Sequence, residues 1–200
     1  MLDTIVVLKT GPEKTAIRVH RGLLCQSSPY FRAALEGEFK EAESQTIDWP
    51  EEKPETVRTF QLWLYSGSMG LDIGDSLSAW RKLVNAYIFA DMYDLSALKE
   101  SVIDFFIDLK IRGSTVNVEV LDKLYSTPSA KPLQNLFVDF AVHNWSMTEE
   151  NFLREELLKH YPKQYLVDVV IELHKHDVAR KWTLKDYKAA RAKYSHASIA

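Results

Sequence analysis

Short strands and helices alternate through roughly the first half of this chain, and only helix-period patterns follow. Asp3 to Thr10 is a β-branched and apolar run that stops at the turn cluster Gly11-Pro12-Glu13-Lys14. Thr15 to His20 then alternates polar and apolar positions, so the two segments predict a β-hairpin. Val19 to Glu41 reads as a strand end, two short helices and an acidic loop. Ser28 sets an N-cap ahead of Pro29, with Tyr30, Phe31, Ala34 and Leu35 at helical spacing behind it. Glu36 to Glu43 is polar, and Thr46-Ile47-Asp48-Trp49 predicts a third short strand. Pro54 opens a helix carrying Val57, Phe60 and Leu64, with Trp63 beside them, and Gly67 is placed to end it in a left-handed cap. One further helix carries Leu77, Trp80, Val84, Tyr87 and Ile88. The next carries Leu95, Leu98, Val102, Phe105 and Phe106, with Asp94 as the break between them.

Residues 111–118 hold Gly113 and several small polar residues, which marks a linker. Residues 1–110 are therefore expected to form one α+β domain that folds without the rest, and residues 119–195 an all-α extension. In the extension, Val120 to Tyr125, Leu133 to Trp145 after Pro132, and Glu149 to Tyr161 capped by Thr148 read as amphipathic helices. Gln164 to His174 follows, with Leu166, Val169, Val170 and Leu173 forming its apolar face.

Composition narrows the function classes. A hydrophobic share of 46%, including 12% aromatic residues, is ample for a packed core. The formal charge of −3 argues against a general nucleic-acid binder, whose footprint would be basic. A single cysteine, Cys25, permits no internal disulfide. No apolar run approaches the ~20 residues that span a bilayer, so no membrane partner is expected. Met1 to Thr4 does not open a secretory leader, so an intracellular location, nucleus or cytoplasm, is expected. On that footing the Asn144-Trp145-Ser146 sequon is incidental.

Candidate chemistry is sparse. His20 would need an acid or nucleophile partner to act as a base, and the pattern supplies neither. A hydrogen bond to the backbone of the next turn is expected instead. Cys25, between Leu24 and Gln26, reads as a small buried hydrophobe. His174 and His176 point about 200° apart on a helix and cannot share a metal, and His143 and His160 lack partners at ligand spacing. No glycine-rich phosphate cradle occurs, so no cofactor is expected. Residues 36–55 hold eight acidic residues against Lys40 and Lys53. Residues 175–193 hold seven basic residues against Asp177 and Asp186, with Trp182 and Tyr187 interleaved and Tyr194 just beyond, and read as a solvated helix or frayed tail.

One constellation is more specific. His20, Leu24, Ser28 and Phe31 form the spacing H-x3-L-x3-S-x2-F, which resembles the signature of the BTB/POZ domain family. Trp63-Leu64-Tyr65-Ser66-Gly67 and the run from Ala86 to Leu95 also look like later helices of that family, so the resemblance spans roughly Asp3 to Leu109. It implies the BTB/POZ fold, a small β-sheet flanking a cluster of short helices, here followed by an all-α extension. It also implies a non-enzymatic protein-interaction module, and Ser126 to Leu133 looks like the linker found in fungal members of the family. Phe39-Lys40-Glu41 fits the apolar-x-Glu triplet that follows the second short helix in the family's adaptors and contacts a cullin scaffold. The other reading of Phe39 is that it packs under its own loop.

Long-form members carry an exchanged helix and strand ahead of the position of Leu2. This chain starts at the first sheet strand, which is similar to the short-form, fungal-type members and leads us to expect at most a weak homodimer. No kelch repeat or zinc-finger spacing is present, which leaves the helical half to recruit an unidentified client. The leading expectation is an adaptor subunit of a cullin-based ubiquitin ligase. The alternative is a homo- or hetero-oligomerising scaffold, for example in transcriptional regulation, without a ligase role.

Overall fold

The computed structural model describes residues 4–71, 75–113, 118–144, 159–175 and 182–194. Its contacts divide the chain into two compact units, residues 1–72 with 85–101 and residues 73–84 with 102–200.

The first unit is built on strands β1 (Ile5–Thr10), β2 (Thr15–His20) and β3 (Thr46–Trp49) in the order β2-β1-β3. β1 pairs antiparallel with β2 and parallel with β3. Register places Val6 opposite Val19, and Leu8 between Ile17 and Ile47, so every second residue enters the core. Helices α1 (Arg21–Ser27), α2 (Pro29–Glu36), α3 (Lys40–Ser44) and α4 (Pro54–Ser66) accompany this sheet. α3 lies where the sequence predicts an acidic loop. Its helix is only five residues long, too short for a periodic signal, and Gln45 ends it in the left-handed region. α4 ends as expected, with Gly67 at φ 70° donating its N–H to the Trp63 carbonyl.

α5 (Ser76–Met92) and α6 (Ser96–Ile111) contribute to both units. Between them Asp94 adopts φ 51°, the break its position predicts. In the first unit, Phe31 packs with Trp49, Phe60 and Tyr93, and Trp49 meets Phe89 edge-on at 5.4 Å. This aromatic centre is the core between sheet and helices.

The second unit contains α7 (Val118–Tyr125), α8 (Lys131–Asn144), α9 (Lys163–Lys175) and α10 (Leu184–Ala190), with 3-10 turns at Pro128–Ala130 and Arg191–Tyr194. Trp80, Phe106, Phe137 and Phe140 form its aromatic core, with the Trp80 ring 5.4 Å from Phe137. Three expectations are corrected here. Ser126 to Leu133 is not a bare connection: Ala130 and Leu133 are buried, and the Gln134 amide donates to the carbonyls of Leu124 and Thr127. The apolar face of α9 is turned from the expected one, because Tyr165 and Val169 are buried while Val170 is exposed. Tyr165 packs edge-on against Tyr125 and beside Tyr161, and aromatic area outweighs one valine in setting the rotation. Over its described residues 182–194 the basic stretch is not a frayed tail, since Tyr187 and Tyr194 are fully buried and Trp182 stacks on His143 at 3.9 Å. Expected helix Glu149 to Tyr161 lies almost wholly outside the described residues, as do His176 and Trp145.

Candidate partner-binding site

The four spaced residues of the first unit hold its helices to its sheet. Leu24 and Phe31 are completely buried. The Ser28 hydroxyl donates to the Tyr93 carbonyl at 2.6 Å and accepts from the Tyr30 N–H at 3.0 Å, so one side chain caps α2 and ties it to the end of α5. His20 departs from its expected role. Its Nδ1 lies 2.5 Å from the Tyr65 hydroxyl of α4, which also accepts the His20 N–H at 3.0 Å. The bond crosses from the end of β2 to a distant helix, while His20, as the N-cap of α1, makes no side-chain capping bond there. Its ring partner among the described residues is a tyrosine hydroxyl and not a carboxylate or thiol, so the geometry is that of a clasp. Burial, reinforced by Glu36, pushes the Cys25 thiol up against the opposing pull of Arg21 and Arg32, which leaves it a packed hydrophobe.

The triplet Phe39-Lys40-Glu41 lies on the surface of the same unit. α2 stops at Gly37, whose N–H donates to the Ala33 carbonyl. A Cβ there would stand 2.5 Å from that carbonyl oxygen, so glycine is required for the chain to turn back so closely. Phe39 follows in extended conformation as the N-cap of α3 and is 60% exposed, with its ring edge near Gly37. Lys40 is largely exposed, with its ammonium 3.9 Å from the Glu41 carboxylate, and it edges the same groove as Glu41. Glu41 is half-buried and lines a shallow groove with Lys9, Ser44, Thr46 and Asp48. An exposed phenyl ring therefore stands beside a charged groove, both fixed by a short helix between α2 and β3. This combination suits protein docking, in which an aromatic anchor is flanked by polar contacts.

Sequence reasoning missed a second feature, a cleft of about 530 Å³ within the helical unit. α8 contributes Lys131, Asn135, Val138 and Asp139, and α9 contributes Asp168, Ile171, Glu172 and Lys175, each set spaced along one helix face. Lys193 comes from the last 3-10 turn. Asp139 accepts from the Tyr194 hydroxyl at 2.6 Å and from Lys193 at 3.3 Å. Asp168 accepts from Lys131, Gln164 and Tyr125. Burial raises the Asp168 pKa, but the bonds from Lys131, Gln164 and Tyr125 win and hold it below the ordinary carboxylate range. The available signal was Asp139 itself, a carboxylate inside the apolar run Leu136-Phe137-Val138-Asp139-Phe140. Among the described residues no group of three or more His, Cys, Asp or Glu side chains could hold a metal, and no helix is long and apolar enough to cross a membrane.

Comparison with known proteins adds identity to this geometry. The sequence model of the BTB/POZ domain matches residues 1–110. A curated BTB/POZ domain-containing protein of Arabidopsis thaliana is 27% identical over 107 residues, covering 53% of this chain and 48% of that protein. The chain thus matches about half the length of that relative.

Proposed function

Since the chain belongs to the BTB/POZ domain family, whose domains are protein-interaction modules, we propose that it is an adaptor for a cullin-based ubiquitin ligase and that Phe39, Lys40 and Glu41 meet the cullin. The observation that carries this reading is the 60% exposure of Phe39 on a backbone fixed by Gly37 and α3. An aromatic side chain left in water at a rigid corner gains most when a partner pocket covers it. Glu41, half-buried at the groove, would meet a basic rim on that partner and fix the register of docking.

Calorimetric titration of the full chain into a purified cullin N-terminal domain tests the reading. Phe39→Ala is expected to weaken binding by tens-fold or more, the effect of losing about 2–4 kcal/mol at a central anchor. Glu41→Ala is expected to cost less, and less still at high salt. Absence of binding by the unaltered chain would end the adaptor reading and leave an oligomerising scaffold as the role of the module.

A further inference from the structure

The cleft of the helical unit has an uneven distribution of charge with depth. Its carboxylates lie at the floor: the Asp139 side chain is 3% exposed, and Asp168 and Glu172 are little more open. Its ammoniums lie at the rim, with Lys131, Lys175 and Lys193 between 45% and 59% exposed. The floor acids face inward, toward lysines, Tyr194, Tyr125 and Gln164. Each ammonium carries three donors and is paired with a floor acid: Lys131 with Asp168, Lys175 with Glu172, and Lys193 with Asp139 and Glu172, which leaves Lys131 and Lys175 further donors to offer. The unspent polar capacity facing solvent is therefore rich in donors, even though the formal charges of the lining cancel.

Two further features decide what kind of anion fits. Asn135 lines the cleft from the first half of α8, and its amide makes no hydrogen bond within the described structure. An amide presents one donor group and one acceptor, the complement of a peptide unit. Val138 and the exposed Ile171 supply an apolar wall beside it. A bare phosphate would leave both the amide's acceptor and this wall unused.

From this arrangement we infer that the cleft between α8 and α9 is a peptide-binding site for an extended segment carrying carboxylate side chains. The rim lysines take the carboxylates, Asn135 takes a backbone amide, and an apolar side chain lies on Ile171. This inference goes beyond the cullin contact and does not depend on it, because the two surfaces share no residue.

The test uses the full chain and a dye-labelled probe, acetyl-Ala-Glu-Ala-Glu-Leu-Glu-amide, read by fluorescence anisotropy. A second probe replaces every glutamate by glutamine. The acidic probe is expected to bind at least about tenfold more tightly than the neutral one, with the gap narrowing as salt rises. Lys175→Ala should weaken the acidic probe about fivefold and leave the neutral one unchanged. Asn135→Ala should weaken both by a similar factor, since a backbone contact is common to them. Lys175 is largely solvated, so that variant keeps its fold, and a melting curve run alongside checks both proteins. Phe39→Ala should bind the acidic probe as well as the parent does, which separates this site from the cullin reading. Equal binding of the two probes, no binding at about 1 mM, or indifference to both substitutions would overturn the inference. Displacement of the acidic probe by about 10 mM inorganic phosphate at constant ionic strength would also overturn it, since it would make the cleft a free-anion site.

Discussion

The two units of this chain spend their polar side chains differently. In the sheet-bearing unit they go mainly to the backbone: Arg21 donates to the Leu35 carbonyl, Arg32 to Cys25, Gln61 to Arg18, and Ser28 to Tyr93. These bonds fix where one segment lies against another. In the helical unit side chains bond one another, as Asp139 does with Tyr194 and Lys193, Asp168 with Lys131 and Tyr125, and Asp104 with Arg191. Bonds of the first kind specify a fold and leave little to titrate. Those of the second kind leave charged groups near the surface, where a ligand can compete for them.

Both units nonetheless rest on buried aromatic centres, and the largest expected effects are there. Phe31→Ala and Trp80→Ala should each destabilise by about 3–5 kcal/mol, the usual cost of deleting a fully buried aromatic ring. A calorimetric scan separates two outcomes. If the units unfold as one, either substitution shifts a single transition; if they unfold separately, each shifts its own. The fragment 1–110 sharpens the same comparison. It keeps Phe31 with Trp49 and Phe60 but strips Phe137 and Phe140 from Trp80 and Phe106. We propose that this fragment still melts cooperatively, at a temperature well below that of the full chain. A molten product would instead place the boundary of the independently folding part beyond Leu109.

How much of this was legible in the sequence also divides by region. The sheet unit could be read closely because its strands alternate with period two and its breaks are chemically marked: Ser28-Pro29, Pro54, Gly67 and Asp94 fall where the structure turns. The spacing His20, Leu24, Ser28, Phe31 was legible as a pattern, but the bond from His20 to Tyr65 was not, since no local rule joins residues 45 apart. The helical unit resisted for a physical reason. Apolar residues surround α8 on nearly every side, so periodicity gives no single face, and the rotation of α9 is decided by contacts with Tyr125 and Tyr161. The cleft was missed because pairing its lysines with its acids requires knowing which helices are neighbours.

Next in size are the caps, which the two units build differently. Ser28 is buried and its hydroxyl serves two backbone groups, whereas Thr183 forms an exposed capping box with Asp186 at the start of α10. Ser28→Ala should cost about 1–2 kcal/mol, because it removes the cap and leaves the Tyr93 carbonyl without that donor. Thr183→Ala should cost about 0.5–1 kcal/mol, since water replaces the lost oxygen. Denaturant midpoints at constant slope check both, and equal losses would contradict the distinction drawn between the units.

Acid should expose the same contrast. The folded Asp168 carboxyl lies below its ordinary pKa, so it contributes stability that is fully present above the unfolded carboxylate value. That contribution is lost as pH falls through the lower folded value. Asp168→Asn should therefore be less stable than the parent at neutral pH and approach it in strong acid. Melting temperatures between about pH 7 and pH 2 follow the convergence. A constant gap across that range would show that the Lys131, Gln164 and Tyr125 bonds act without regard to the charge of residue 168.

The smallest expected change in stability comes from Phe39→Ala, and its smallness is informative. Phe31 and Phe39 are both phenylalanines of one unit, eight positions apart; the first is wholly buried and the second 60% exposed. Removing the exposed ring should shift stability by within about 0.5 kcal/mol, the ordinary range for a surface substitution. Gly37 and the short helix α3 hold the corner through backbone geometry, so the loop should keep its path without the ring. A loss of about 2 kcal/mol or more would mean that Phe39 packs against its own unit in solution, and the docking role proposed for it would then fail on stability grounds alone. Equilibrium denaturation of Phe39→Ala beside Phe31→Ala makes the comparison in one experiment. A near-silent change at Phe39 and a severe one at Phe31 is the pattern required of a ring kept for a partner.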